Sequence, residues 1–508
     1  MSSENKITDS DLSAAINQDD PEKGKSNSDD APSEAADHEG GLIVYWEHPE
    51  SEDPENPLNW SDKRKWAMIG ILSFLSLLVP LASSMLAPGV PQVLEEFDIT
   101  NDQLATFVVS VFVLGFALGP IVIAPLSEVY GRNLVYHVCN ATFTVFTIAC
   151  ALATNMGMLI AFRFLAGFSG VAVLTIGSGS IVDMMPANRR GRAMALWTGG
   201  PILGPVVGPV CGGFLVEDLG WRWVFWVIAI ASGVTTLASI FILRESYAPL
   251  ILERKAARLR KETGNPGYQS KLKSAEPPKK VFARSIVRPM RLLFTSPLVT
   301  ILSTYVAIIY GLMYILFTTF TFVFEQYYGF SARSAGLVFI GGGIGNILGQ
   351  FLVGFLSDRL IEAEKRKGNQ PEPEIRLSLW ITVPSALTLS AGLLIYGWGA
   401  QFHVHWIVPV FGTGIMGFGL IGIFMSILTY LVDVYQEHAA SVTAANAVLR
   451  SVLGAVLPLI GLQMYNALGL GWGNTLLGLI CFVLAPVTWI LAIFGTRIRQ
   501  HPKFVNKI

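Results

Sequence analysis

Arg163 and Arg450 most demand a chemical reason, because each lies in an apolar run long enough to cross a bilayer. An arginine there costs roughly 2.5–3.5 kcal/mol on insertion scales. Arg163 stands at the start of its run, where a snorkelling interfacial side chain is one reading. Arg450 is too deep for easy snorkelling. Carboxylates sit at the ends of such runs: Glu128, Asp183, Asp358 and Asp433, with Arg132 and Arg359 close by in sequence. Charges so placed either keep helix ends in water or pair across a gap that opens and shuts, stabilising one of two states. No Asp or Glu occupies the middle third of any run; Asp183, Asp433 and Glu325 at run ends come nearest to a proton carrier. His137 titrates in the useful range, but a lone histidine on a helix is usually a packing residue.

The same inventory argues against catalysis. The chain has 7 histidines, no paired acids at membrane depth, no metal-ligand cluster and no phosphate-binding loop ending in Lys-Ser or Lys-Thr. Cys139, Cys150, Cys211 and Cys481 lie in apolar runs without CxxC spacing and read as small buried apolar residues. The expectation is a chain that is no enzyme, binds no metal or cofactor and does not run on ATP.

The elements that must position these charges are bilayer-spanning helices. Mean hydropathy is +0.50, and 14% of residues are charged, against about 25% in soluble proteins. Uncharged runs of about 20 residues give roughly twelve spans. They centre near Leu77, Val113, Val145, Ile176, Gly204, Ala231, Ile308, Gly345, Leu387, Gly417, Leu453 and Val483. One of them holds GPILGPVVGPVCGG, in which Gly200, Gly204, Gly208 and Gly212 recur every fourth residue, with Gly213 alongside. That stripe lets another backbone approach closely. Pro201, Pro205 and Pro209 interrupt it; each interior proline costs roughly 3 kcal/mol in a soluble helix unless neighbours satisfy the freed groups. A bent helix packed tightly on a partner, in a protein whose helices shift, is expected.

Basic residues fall in alternate loops, leaving Arg222 and Arg333 on the other side, so both termini are expected to face the cytosol. Residues 1–64 read as a disordered acidic tail. Residues 65–245 and 294–497 form two six-helix halves, 246–293 a basic central loop, and 498–508 a short cytosolic tail. Within the central loop, LERKAARLRKETG forms a basic amphipathic helix, either lying on the anionic leaflet or left as a solvated linker. The halves repeat: Gly119 precedes Glu128 by the spacing at which Gly349 precedes Asp358, and Asp183 and Asp433 each end a fourth span.

These residues resemble the major facilitator superfamily, specifically its fungal twelve-span drug:proton antiporter branch. The loop signature is similar to Leu126-Ser127-Glu128 with Gly131-Arg132 in the first half, and to Gly354, Leu356, Ser357, Asp358 and Arg359 in the second. Arg163-Phe-Leu-Ala-Gly167 resembles a fourth-span signature, and the glycine-proline segment resembles the antiporter motif. DPENPLNW (Asp53–Trp60), ESYAP (Glu245–Pro249), PEIRL (Pro373–Leu377) and AANAVLRSVLGAVLPL (Ala444–Leu459) are similar to the fungal branch in particular.

The resemblance implies an all-α membrane fold of two pseudo-symmetric six-helix halves and secondary transport by alternating access. It implies a cytoplasmic gate built of Glu128, Gly131, Arg132, Gly354, Asp358 and Arg359. Arg163, Asp183 and Arg450 become candidates for coupling to a proton gradient, with Glu128 facing the amino end of the eleventh span and Arg450 itself. It also implies a midplane cavity to which Ser84, Tyr310, Tyr314, Phe317 and Tyr430 contribute. The spacing of Tyr310, Tyr314 and Phe317 serves either to stack a planar ligand or to pack against neighbours.

The expected cargo is an aromatic or amphipathic drug, toxin or secondary metabolite, exported in exchange for protons. A polyamine or nutrient carrier and a non-transporting receptor are the alternatives. Expected partners are the cargo, protons and lipid, without nucleic acid, around a monomer in the plasma membrane or, alternatively, the vacuolar membrane.

Overall fold

The computed structural model describes residues 37–38, 41–50, 52–272, 278–368 and 372–500. Its helices are α1 (Asp62–Ser84), α2 (Val90–Glu96), α3 (Asp102–Tyr130), α4 (Arg132–Ala151), α5 (Met156–Gly170), α6 (Ala172–Met184), α7 (Ala187–Leu219) and α8 (Arg222–Ile242) in the first half. A central segment carries α9 (Ala248–Thr263) and α10 (Pro278–Thr295). The second half has α11 (Pro297–Tyr328), α12 (Ala332–Arg366), α13 (Leu379–Gln401), α14 (Ile407–Val434), α15 (Ala439–Val456) and α16 (Gly461–Gln500). Among the described residues, eleven stretches are long and apolar enough to span, the last of them Ala439–Arg497. That stretch is broken at Gly469, whose φ of 76° no helix contains, and so holds the eleventh and twelfth spans.

The two halves pack alike. In the first, α1 lies on α7, α3 on α5 and α4 on α8; in the second, α11 lies on α15, α12 on α14 and α13 on α16. Between halves, α7 meets α12 and α3 meets α15. The glycine stripe makes the α1–α7 pairing: methyls on Gly200, Gly204, Gly208 and Gly212 would collide with Leu77, Pro80 and Leu81 of α1 and with Met85 just past its end. α7 remains helical through Pro201, Pro205 and Pro209. The Trp197 carbonyl, which would accept from residue 201 were it not proline, accepts instead from the Ser76 hydroxyl at 2.8 Å.

The expected disordered tail is shorter than residues 1–64. Residues 1–36, 39–40 and 51 lie outside the described residues, but 41–50 and 52–60 are ordered: β2 (Gly41–Val44) pairs with β1 (Asp37–His38) and runs parallel to β3 (Tyr268–Ser270) of the central segment. Asp53 is 2% exposed and ties this segment to α9, where Lys255 reaches Glu47 at 2.9 Å and Asp53 at 3.4 Å. Arg258 pairs with Glu55 at 2.7 Å. α9 forms over the basic stretch as its pattern predicts, and acids of the preceding segment pair with Lys255 and Arg258. Burial pushes the Asp53 carboxyl up, but the amides of Glu47 and Glu55 and the Lys255 charge outweigh it, leaving its pKa below the ordinary value. Burial likewise works against the Lys255 charge, and its two carboxylate partners outweigh it, leaving its pKa raised. The tail call for residues 498–508 falls largely on residues outside the described set.

Candidate functional site

Because the spans alternate, the central segment and both described ends of the bundle share one face, here the loop face. At this face the gate signature resolves into two ion pairs, each inside one half. Arg132 donates through Nε to Asp183 at 2.5 Å, and Asp183 also accepts from the Ser246 hydroxyl at 3.4 Å. Gly131, at φ 95°, turns the chain from α3 into α4, and a side chain there would strike Glu245 and Leu250. Glu245 caps the new helix, accepting from the amides of Arg132 at 3.1 Å and Asn133 at 3.2 Å. Above Arg132 lies the Tyr247 ring, 5.3 Å away; burial, then the charge of Glu128, raises that hydroxyl's pKa.

The second half repeats the geometry with a different arginine. Arg376, just before α13, donates to Asp433 at 2.9 Å and to the Ser357 hydroxyl at 3.0 Å, and lies 3.8 Å from Asp358. Arg359, expected in this cluster, lies 4.6 Å over the Phe355 ring instead. Gly354 has open space where a side chain would stand, so no close approach requires glycine there. Arg132 is thus paired inside the first half, and Arg359 stands apart from the Arg376–Asp358 contact. Asp183, expected among coupling candidates, is the partner of Arg132. Sequence reasoning missed Glu245 and Arg376, although both lie in stretches it singled out, ESYAP and PEIRL.

In the interior, Arg163 is 1% exposed and lies well inside the fourth span, which runs Met156–Met184. Snorkelling is thereby overturned. Its guanidinium donates to the carbonyls of Ser83 at 2.9 Å, Val109 at 3.2 Å and Ala82 at 3.4 Å, with the Phe112 ring 5.2 Å away. The prolonged end of α1 that frees two of those carbonyls also brings the Ser83 hydroxyl within 3.4 Å of the Tyr314 hydroxyl in the other half.

From Tyr314 the seventh-span aromatics continue as a connected row. Ring centroids are 5.1 Å apart for Tyr310–Tyr314, 5.7 Å for Tyr314–Phe317 and 5.5 Å for Phe317–Phe339. Arg450 ends the row, 4.8 Å from the Tyr310 ring and 5.2 Å from that of Phe424. α15 does neighbour α3, but these rings, not Glu128, engage Arg450. Two cavity candidates are displaced. Ser84 turns away, donating to the Pro80 and Leu81 carbonyls and packing on Gly208. Tyr430 is 0% exposed, inside the core of the second half. His137 is a packing residue, with Nδ1 3.2 Å from the Ser239 hydroxyl. Cys211 is exposed on the bundle surface rather than buried.

At the far face the halves are tied together. Arg333 of the second half reaches Asp218 at 2.7 Å, and its amide donates to Glu217 at 2.9 Å. Asn466 reaches Asp102 at 3.1 Å and the Ser110 hydroxyl reaches the Ala455 carbonyl at 2.9 Å. Gly213 packs on Ala332 and Arg333, and Gly336 on the Pro209 carbonyl. This conformation is sealed at the far face.

Comparison with known proteins agrees with this architecture. The Major Facilitator Superfamily family model matches residues 72–458. The MFS-type transporter penM of Penicillium rubens is 50% identical over 91% of this chain and 90% of its own. The efflux pump radE of Floropilus chiversii is 48% identical over 92% and 86%. Among solved structures, the inward-facing, unoccupied bacterial homolog of the human lysosomal transporter Spinster covers 88% of this chain and 99% of its own at TM-score 0.64 and 15% identity. The xylose transporter XylE of E. coli, partially occluded and inward open, covers 84% and 98% at TM-score 0.63 and 14% identity. With paired six-helix halves, a loop-signature arginine bound to a fourth-span acid in the first half, and a full-length match to fungal carriers, the chain belongs to the major facilitator superfamily and is a membrane transporter, not an enzyme.

Proposed function

We propose that this transporter exports a small aromatic or amphipathic molecule, with the loop face in the cytosol and protons as the counter-flow. The row Tyr310–Tyr314–Phe317, meeting Ser83 of the first half, carries this reading. Stacked rings contribute about 0.5–1.5 kcal/mol per aromatic contact beyond area burial. The row also lies where the two halves meet, so relative movement of the halves changes what it touches. A polyamine is disfavoured, because an ammonium-rich cargo calls for carboxylates and the row ends on an arginine. The name of the efflux pump relative supports export. Arg163, held by neutral carbonyls rather than by an acid, supports a charge that interacts with a migrating proton. The seal at Arg333 supports alternating access, being a contact that must break when the far side opens. Site in the plasma membrane and function as a monomer belong to the same proposal.

The deciding experiment compares intracellular and secreted metabolites in cells with and without the gene. One aromatic product retained inside deleted cells is the expected result. An unchanged profile together with altered drug sensitivity would instead mark a broad xenobiotic pump. Proton exchange is checked in proteoliposomes, where an imposed pH gradient should drive uptake of that product and a protonophore should abolish it.

A further inference from the structure

We propose that Arg450 is the anchor for an acidic group on the cargo, so that the transported molecule is an aromatic carboxylate or an equally acidic aromatic. This rests on the reading that the interior aromatic row holds the cargo. Four of the other arginines described above have carbonyl or carboxylate partners. Arg163 binds three carbonyls, Arg132 binds Asp183, Arg376 binds Asp433, and Arg333 binds Asp218. Arg450 differs. Among the described residues no carboxylate lies within ion-pairing distance of it and no hydrogen bond from its guanidinium is formed; its Nε, like those of Arg163 and Arg333, is buried without a partner. It is held by the ring faces of Tyr310 and Phe424 at 4.8 and 5.2 Å. Such contacts hold the charge without using the N–H donors.

A guanidinium at membrane depth is costly, and the two cation–π contacts offset only part of that cost. The charge is thus tolerated but not neutralised, and its planar fork matches a carboxylate in bidentate geometry. The neighbouring rings complete the recognition. Tyr310, which covers the guanidinium, stands 5.1 Å from Tyr314 and is tilted 47° to it, so a flat cargo stacked on the Tyr310 ring has its acidic substituent beside Arg450. Arg163 adds positive potential from the first-half side, since its own partners are neutral.

The test uses the purified full-length chain in lipid nanodiscs with matched probes: 2-naphthoate and anthracene-9-carboxylate against their neutral carboxamides, titrated calorimetrically. The acids should bind at least about tenfold more tightly than the amides, and Arg450→Gln should bring the acids down to the affinity of the amides. Unchanged amide binding and melting temperature show that the variant is folded. Arg450→Lys should keep part of the preference, because an ammonium supplies charge without the fork. Equal binding of acid and amide, an acid preference that survives in Arg450→Gln, or binding of neither class overturns the assignment. Retention of a neutral aromatic product in gene-deleted cells would overturn it as well while leaving the export reading intact. Acid-selective binding at Arg450 with an unchanged metabolite profile would do the reverse.

Discussion

Gly199 and Gly200 are neighbours in sequence and opposites in packing. A methyl on Gly200 would stand 2.5 Å from the Leu77 amide nitrogen, whereas nothing lies within 4 Å of one on Gly199. Gly200→Ala should therefore cost about 1–3 kcal/mol through overpacking and slow transport, while Gly199→Ala stays within about 0.5 kcal/mol. Thermal unfolding of the two variants side by side checks this, and equal losses would remove the close-approach argument. The fourfold spacing made the stripe legible in sequence. Which helix it faces was not, because that depends on how α1 and α7 cross. Arg163 illustrates the same limit. Its cost was readable, but the carbonyls that hold it come from the end of α1 and from α3, far away in sequence.

Elements pair their ends in a repeated way: in each half an arginine before the third span binds the acid that ends the fourth. Arg376→Gln and Asp433→Asn should each destabilise the second half, and the double variant should lose less than the sum of the two by about 0.5–3 kcal/mol. Additive losses would mean that the pair acts as two independent surface charges. The segment 41–60 on α9 makes a separate prediction. Asp53 has a depressed pKa, so its contribution is complete above its ordinary value of 3.8 and is lost as pH falls through the lower folded value. Lys255 has a raised pKa, so its contribution is complete below its ordinary value of 10.5 and is lost as pH rises through the higher folded value. The segment should stay docked across neutral pH and detach in strong acid. A spin label replacing Glu52 should report this as increased mobility, and Lys255→Gln should give the same mobility at pH 7. A label immobile under all conditions would mean that the strand pairing alone holds the segment.

For the whole molecule, the far-face seal sets the balance between states. The Arg333 pairs are partly exposed, and such pairs contribute about 0.2–1 kcal/mol each. Arg333→Gln, which removes both pairs, should therefore shift the population toward far-face opening by no more than about thirtyfold. Pulsed electron resonance distances between labels at residues 219 and 332 measure the shift. An unchanged distribution would assign the seal to the Gly213 and Gly336 backbone contacts instead.

Sequence by itself determined the spans, their division into two halves and the glycine stripe, because hydropathy and a four-residue repeat are properties of one helix and its solvent. It also picked out Arg163 and Arg450 inside their spans, since placing a guanidinium at membrane depth is costly in any fold. Tertiary structure decided the partners. Asp183 went to Arg132, Asp433 to Arg376, Arg450 to aromatic faces, and Ser83 to Tyr314. A one-residue step along a helix turns a side chain by about 100°, and which neighbour it then meets is fixed only when helices distant in sequence are packed together.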